Sequence, residues 1–243
     1  EFWDMIEIFE SMEIWNGATP FAAGTINAKA FKKWLSLLDE GKRLTATTGS
    51  DTHNIYGDDY FGMTEWLDWL MDIVMKHPEI YPEQMNEKVA YLTWLYKKVW
   101  PRLLSWVEQS NTPSTIHNYV YTNGKNQPQE ILQAIREGHS FISNGPLVTA
   151  EVNGASYGEK AVLKDNTGKL SVHVFSKKPI NHLWMYTGAD KKVELCAKAD
   201  TAEGGFTYDI AADEFDFGDT AWALFVADGG ENNLAISNPI LFA

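Results

Sequence analysis

The chain has 243 residues, 44% hydrophobic and 22% charged, enough apolar material for one large domain or two ordinary ones with buried cores. Its 33 Asp and Glu outweigh 20 Lys and Arg, and the formal charge of −13 argues against a cationic face of the kind that duplex phosphates require, so nucleic acid is not an expected partner. The single cysteine, Cys196, excludes an internal disulfide and a cysteine-based zinc cage, and no apolar run of about 18 residues offers a membrane span. The start at Glu1-Phe2-Trp3-Asp4 carries neither an initiator methionine nor a signal-peptide pattern, so the chain is expected to begin within a longer one.

Residues 12–17 alternate apolar and polar side chains and end at Asn16-Gly17, which predicts a short strand and a turn. Phe31, Trp34, Leu35 and Leu38 fall at helical spacing before Gly41, which predicts a helix over 29–40 with a glycine stop. Residues 44–48 are rich in β-formers and run into the polar segment Gly49-Ser50-Asp51-Thr52-His53-Asn54. A strand ending in a polar loop is where α/β proteins keep their chemistry.

From about 63 to 109 the chain turns helical and aromatic, with Trp66, Trp69, Trp94, Trp100 and Trp106, and its stripes are broken at Pro78 and Pro82. Two or three helices are expected there, packing against their own body as stripes at 3.6-residue spacing ordinarily do. A lid or an aromatic substrate wall is the functional alternative. Strand and helix resume at 119–121 and 128–137, with Pro128 in the first turn and Gly138 at the stop. Residues 140–143 lead into the turn Asn144-Gly145-Pro146, and beyond it short strands are expected at 147–152, 170–176, 183–187, 192–197, 206–210, 221–227 and 240–242. That spacing predicts a small Ig-like β-sandwich over 147–243.

The compact constellation with metal-ligand chemistry is Asp51-Thr52-His53. In an extended segment residues i and i+2 point to one side, so a carboxylate and an imidazole converge on one cation, a pair that suits Zn, Mn or Fe. The same residues also read as a loop aspartate capping backbone amides beside a surface histidine, and spacing alone does not choose between the two. His139, His173 and His182 read as structural or surface residues and His77 as a helix end before Pro78. Glycine-rich phosphate loops, dinucleotide turns and a G-x-S-x-G elbow do not occur.

The run from Gly41-Lys42-Arg43-Leu44 into Thr48-Gly49-Ser50-Asp51-Thr52-His53 resembles a segment of the polymerase and histidinol phosphatase (PHP) superfamily, in its CehA/McbA-like metallohydrolase branch. Glu13-Ile14-Trp15-Asn16-Gly17, residues 130–138 and residues 140–147 resemble the same branch, so the likeness covers about residues 5–55 and 115–160. The resemblance implies α/β architecture over 1–146, the C-terminal part of a distorted (β/α)7 barrel with a helical insertion at about 60–112, followed by the sandwich at 147–243. It further implies a cluster of two or three divalent transition metals, Zn, Mn or Fe, that hydrolyses phosphoesters or related esters and carbamates, with Asp51 and His53 as ligands and Glu13, Asn16 and His117 as contacts for a small-molecule ester substrate. Glu13 equally reads as a strand-end carboxylate, Asn16-Gly17 as a turn and His117 as an exposed loop residue.

The family's early H-x-H ligand motif is missing: the histidines are His53, His77, His117, His139, His173 and His182. The expectation drawn from this is a fragment whose N-terminal ligands lie elsewhere, inactive on its own. The alternative is an inactive relative whose β-sandwich binds carbohydrate or protein through Trp184, Tyr186 and Trp222. Trp184 and Tyr186, two apart on one face, read rather as core-facing residues. A homo-oligomer formed through the aromatic insertion and a periplasmic or secreted location complete the expectations.

Overall fold

The computed structural model describes residues 8–17, 24–49, 72, 76, 116–195, 199–230 and 233–243. The chain divides into two units, one of residues 1–49 and 114–243 and one of residues 50–113. Of the second, Asp72 and Lys76 are described, helical residues joined one turn apart by a 2.6 Å ion pair. The expected insertion and its oligomer interface otherwise lie outside the described residues.

In the first unit, β1 (Ser11–Asn16) leads to helix α1 (Ile26–Asp39) and β2 (Thr45–Gly49). Thr25 caps α1 by accepting from the Ala28 N–H. The helix ends at Gly41, whose φ of +78° lets the chain turn back so that the N–H groups of Gly41 and Lys42 close on the carbonyls of Leu38 and Leu37. Strand β3 (His117–Val120) precedes α2 (Pro128–Arg136), which has proline at its start and a capping box between Gln127 and Glu130.

The remaining strands are β4 (Ser140–Ser143), β5 (Leu147–Val152), β6 (Lys160–Ala161), β7 (Thr167–Ser176), β8 (His182–Gly188), β9 (Lys191–Glu194), β10 (Ala199–Ala202), β11 (Gly205–Asp216), β12 (Trp222–Asp228), β13 (Leu234–Ser237) and β14 (Ile240–Phe242). Besides the two-stranded sheet β1-β2, a four-stranded sheet has the order β10-β11-β7-β5, and a larger one runs β3-β4-β13-β12-β14-β6 with β8 and β9 added alongside β12. Strands on both sides of residue 146 therefore share a sheet, since β4 pairs with β13.

The larger sheet is buried on both faces. Ala223, Phe225 and Ala227 of β12 join Val148, Ala150, Leu170, Val172 and Val174 in a core between the two sheets. The alternate residues Trp222, Leu224 and Val226 join Trp34, Leu35, Leu38, Ile14 and Trp15 in a second core beneath α1, β1 and β2. This explains the unbroken apolar run of β12, because a strand covered on both sides has no solvent face to mark with polar residues.

The expected (β/α)7 barrel is not formed. Among the described residues strands make up 50% and helix 16%, with two bounded helices, and the sheets are antiparallel apart from the pairs β1-β2 and β14-β6. A parallel barrel needs a crossover helix for each strand. Here α2 returns the chain so that β3 and β4 run antiparallel, and the later strands follow one another through turns too short to hold a crossover. The resemblance in local motifs thus does not carry the barrel with it.

Candidate functional site

Strands β1 and β2 run parallel in the register Glu13↔Thr47, Trp15↔Thr48 and Asn16↔Gly49, with an irregularity at Ile14. Their C-terminal ends lie side by side, and there the exposed Glu13 and Asn16 come together: Asn16 Nδ2 donates to Glu13 Oε1 at 2.8 Å. The other carboxylate oxygen lies over Gly49, where an added Cβ would stand 2.5 Å from Oε2. Glycine at 49 is what leaves room for the Glu13 carboxylate across the strand pair.

The backbone below this pair is fixed by asparagine side chains. Asn27 in the first turn of α1 accepts from the Asn16 N–H at 3.1 Å and donates to the Asn16 carbonyl at 3.1 Å. Asn118 accepts from the Thr48 N–H at 3.0 Å and donates to the Thr48 carbonyl at 2.9 Å. Farther back along β2, Asn238 accepts from the Ala46 N–H at 2.7 Å and donates to its carbonyl at 3.3 Å. Each amide acts as one rung of a missing strand, satisfying backbone groups that a two-stranded sheet leaves open. Thr48 adds a 2.6 Å hydrogen bond from its hydroxyl to the Trp15 carbonyl.

Of the residues read from the sequence, the structure joins Glu13 to Asn16. His117 is exposed, begins β3 beside Asn118, and its ring meets Tyr119 edge-on at 5.9 Å. Asp51 and His53 lie outside the described residues. Groups of three or more ligating side chains fit to hold a metal are not found among the described residues. Asn27, Asn118 and Asn238 were not marked by the sequence. Their signal is an asparagine in an apolar or β-forming run without the following glycine that would make it a turn.

His77, read as a helix end, lies outside the described residues, and two other histidines form surface pairs. His173 Nδ1 meets Asp209 Oδ1 at 2.6 Å across β7 and β11, and His182 Nδ1 meets Glu194 Oε1 at 2.6 Å. The aromatic residues weighed as a platform are engaged elsewhere. Trp222 is buried in the second core, and Trp184 and Tyr186 share a face as expected, but it is the face turned toward α1 rather than toward the opposing sheet. Phe31 packs edge-on against Tyr186 at 5.6 Å, and Lys192 Nζ sits 4.0 Å over the Trp184 ring. Comparison with protein-family models, curated proteins and solved structures finds no match for this chain.

Proposed function

We propose that this chain serves metal-dependent hydrolysis of small phosphoesters or related esters and carbamates, the chemistry of the PHP-like metallohydrolases that its motifs resemble. Asp51 and His53 are the metal ligands of this reading, and Glu13 and Asn16 face the substrate. The supporting observation is the Asn16-held carboxylate of Glu13 at the C-terminal end of the parallel pair β1-β2, the end of a parallel strand pair at which α/β proteins gather their functional groups. The Asp51-Thr52-His53 motif begins two residues after Gly49 in the sequence.

The donor set of Asp51 and His53 fits a divalent transition metal in kind, a carboxylate and an imidazole two residues apart. Lewis-acid activation of the ester and of water is the chemistry such a metal supplies when bound. Asn16 fixes one oxygen of Glu13 and leaves the other to accept a proton or a substrate hydroxyl. Titration of the chain and of its Asp51 and His53 variants with Zn²⁺ and Mn²⁺ tests the reading. Asp51→Ala and His53→Ala should each lower metal affinity by about tenfold or more with the unfolding midpoint unchanged. Metal binding indifferent to both substitutions would count against it.

A further inference from the structure

A cavity of about 400 Å³ opens at the N-terminal end of β2, lined by Arg43, Thr45, Arg136, Glu137, His139 and Gly158 among others. It lies at the opposite end of β2 from Glu13 and Gly49, about 13 Å away by strand rise. It is therefore separate from the proposed hydrolytic site and does not depend on that reading. We propose that this cavity binds a small oxyanion, with Arg43 as its principal contact and Arg136 and His139 beside it.

Two helices end at this cavity, which by itself would disfavour an anion. Their last carbonyls are already engaged. In α1 those of Ser36, Leu37 and Leu38 accept from Glu40, Lys42 and Gly41; in α2 those of Ala134 and Ile135 accept from His139 and Gly138. The Arg136 carbonyl accepts from the Thr45 hydroxyl at 3.3 Å. Beside these engaged carbonyls the lining supplies the side-chain donors of Arg43, Thr45, Arg136 and His139.

The two carboxylates near the opening are both committed. Glu10 Oε2 lies 2.9 Å from Arg136 Nε, which leaves the terminal nitrogens of that guanidinium. Gln133 Nε2 donates to Glu137 Oε1 at 2.8 Å, and His139 Nδ1 lies 3.7 Å from Glu137 Oε2, leaving His139 Nε2. Arg43 is exposed and has no ion pair or side-chain hydrogen bond among the described residues. On a chain with a charge of −13, an uncompensated guanidinium at the mouth of a cavity is set against the prevailing field. Its planar fork matches the paired oxygens of phosphate or carboxylate.

The wall opposite Arg43 depends on a close backbone approach. Gly158, at φ +77°, lies against the Glu137 carbonyl and the His139 ring so closely that a Cβ there would overlap the carbonyl oxygen. This glycine lets the segment after β5 close onto the end of α2 and makes a concave site out of what would otherwise be a flat surface.

Calorimetric titration of the full chain with inorganic phosphate at constant ionic strength tests the site, with sodium acetate as a second arm and chloride as the control. Saturable binding of phosphate or acetate but not chloride is expected, and the tighter of the two identifies the ligand class as phosphate-bearing or carboxylate-bearing. Arg43→Ala should weaken it by about tenfold and Arg43→Lys by about threefold, because the lysine keeps the charge and loses the fork. Arg43 holds no partner whose loss would unfold the chain, and an unchanged thermal midpoint of the variants without anion verifies that. Equal responses to phosphate, acetate and chloride, or anion binding unaltered in Arg43→Ala, would overturn the proposal.

Discussion

Asn238 and Ala46 are 192 residues apart in sequence and share two hydrogen bonds in the interior, the Ala46 N–H donating to Asn238 Oδ1 at 2.7 Å and Asn238 Nδ2 donating to the Ala46 carbonyl. The same Nδ2 donates to the Ser140 carbonyl and hydroxyl at 3.0 and 2.9 Å. One fully buried amide thus ties β2 to β4 and to the segment that precedes β14.

Asn238→Ala leaves the N–H and carbonyl of Ala46 buried without partners, and a cost of about 3 kcal/mol is expected from the lost bonds and the stranded polar groups. Asn118→Ala, at an exposed position where water can substitute, should cost about 1 kcal/mol. Urea unfolding of both variants checks the order. A smaller loss for Asn238 than for Asn118 would contradict the role given to the buried amide.

Gly49→Ala should act through Glu13 rather than through the fold. The added Cβ meets the far end of a flexible side chain, so stability should change by no more than about 1 kcal/mol while the carboxylate is displaced. Affinity for an aryl carbamate, whose N–H can donate to the Glu13 carboxylate, is expected to fall in Gly49→Ala together with Glu13→Gln, which keeps the shape and removes the charge, with metal affinity unchanged. Titration of the two variants side by side measures this.

Burial holds the Tyr157 phenol well above its ordinary range, and its hydroxyl donates to the Val148 carbonyl at 3.0 Å. The phenol of the unfolded chain ionises near pH 10 while that of the folded chain keeps its proton. The folded state therefore binds the extra proton, and this contribution, complete below pH 10, is lost as pH rises, at about 1.4 kcal/mol per pH unit. Tyr157→Phe should flatten that alkaline slope and cost about 1 kcal/mol at neutral pH. Unfolding measured between pH 8 and about 11 separates the two effects.

Trp34 is fully buried, and its Nε1 donates to the Leu44 carbonyl at 2.8 Å, joining α1 to the entrance of β2. Trp34→Phe removes that bond and part of the ring, and a loss of about 2 kcal/mol is expected. Ser36→Ala, whose hydroxyl makes a long exposed contact to Glu40 at 3.4 Å, should change stability by less than about 0.5 kcal/mol and serves as the control.

Local structure was largely legible where the pattern is local. The stripe of Phe31, Trp34, Leu35 and Leu38 marks α1, Pro128 and Gly138 bracket α2, and alternation marks β5 and β7, each of which faces solvent on one side. Strand β13 has no mark in the sequence because all four of its residues are buried, so Leu234-Ala235-Ile236-Ser237 carries no alternation. Strand β10 is exposed almost throughout and owes its place to pairing with β11. The partnership of Glu13 with Asn16 was legible as proximity in sequence; the asparagines that pin the backbone beneath it were not, because their partners are 11, 70 and 192 residues away.

By itself the sequence determined the periodicities, the helix ends, the turn glycines and the residue types available for chemistry, all of which depend on neighbours a few positions apart. Tertiary structure decided that the strands apart from β1-β2 and β14-β6 pair antiparallel, that β12 is covered on both faces, that Trp184 and Tyr186 turn toward α1, and that three asparagine amides take the place of absent strand partners. These outcomes rest on buried polar groups finding partners and apolar faces finding cover across long stretches of chain, and sequence spacing carries no record of either.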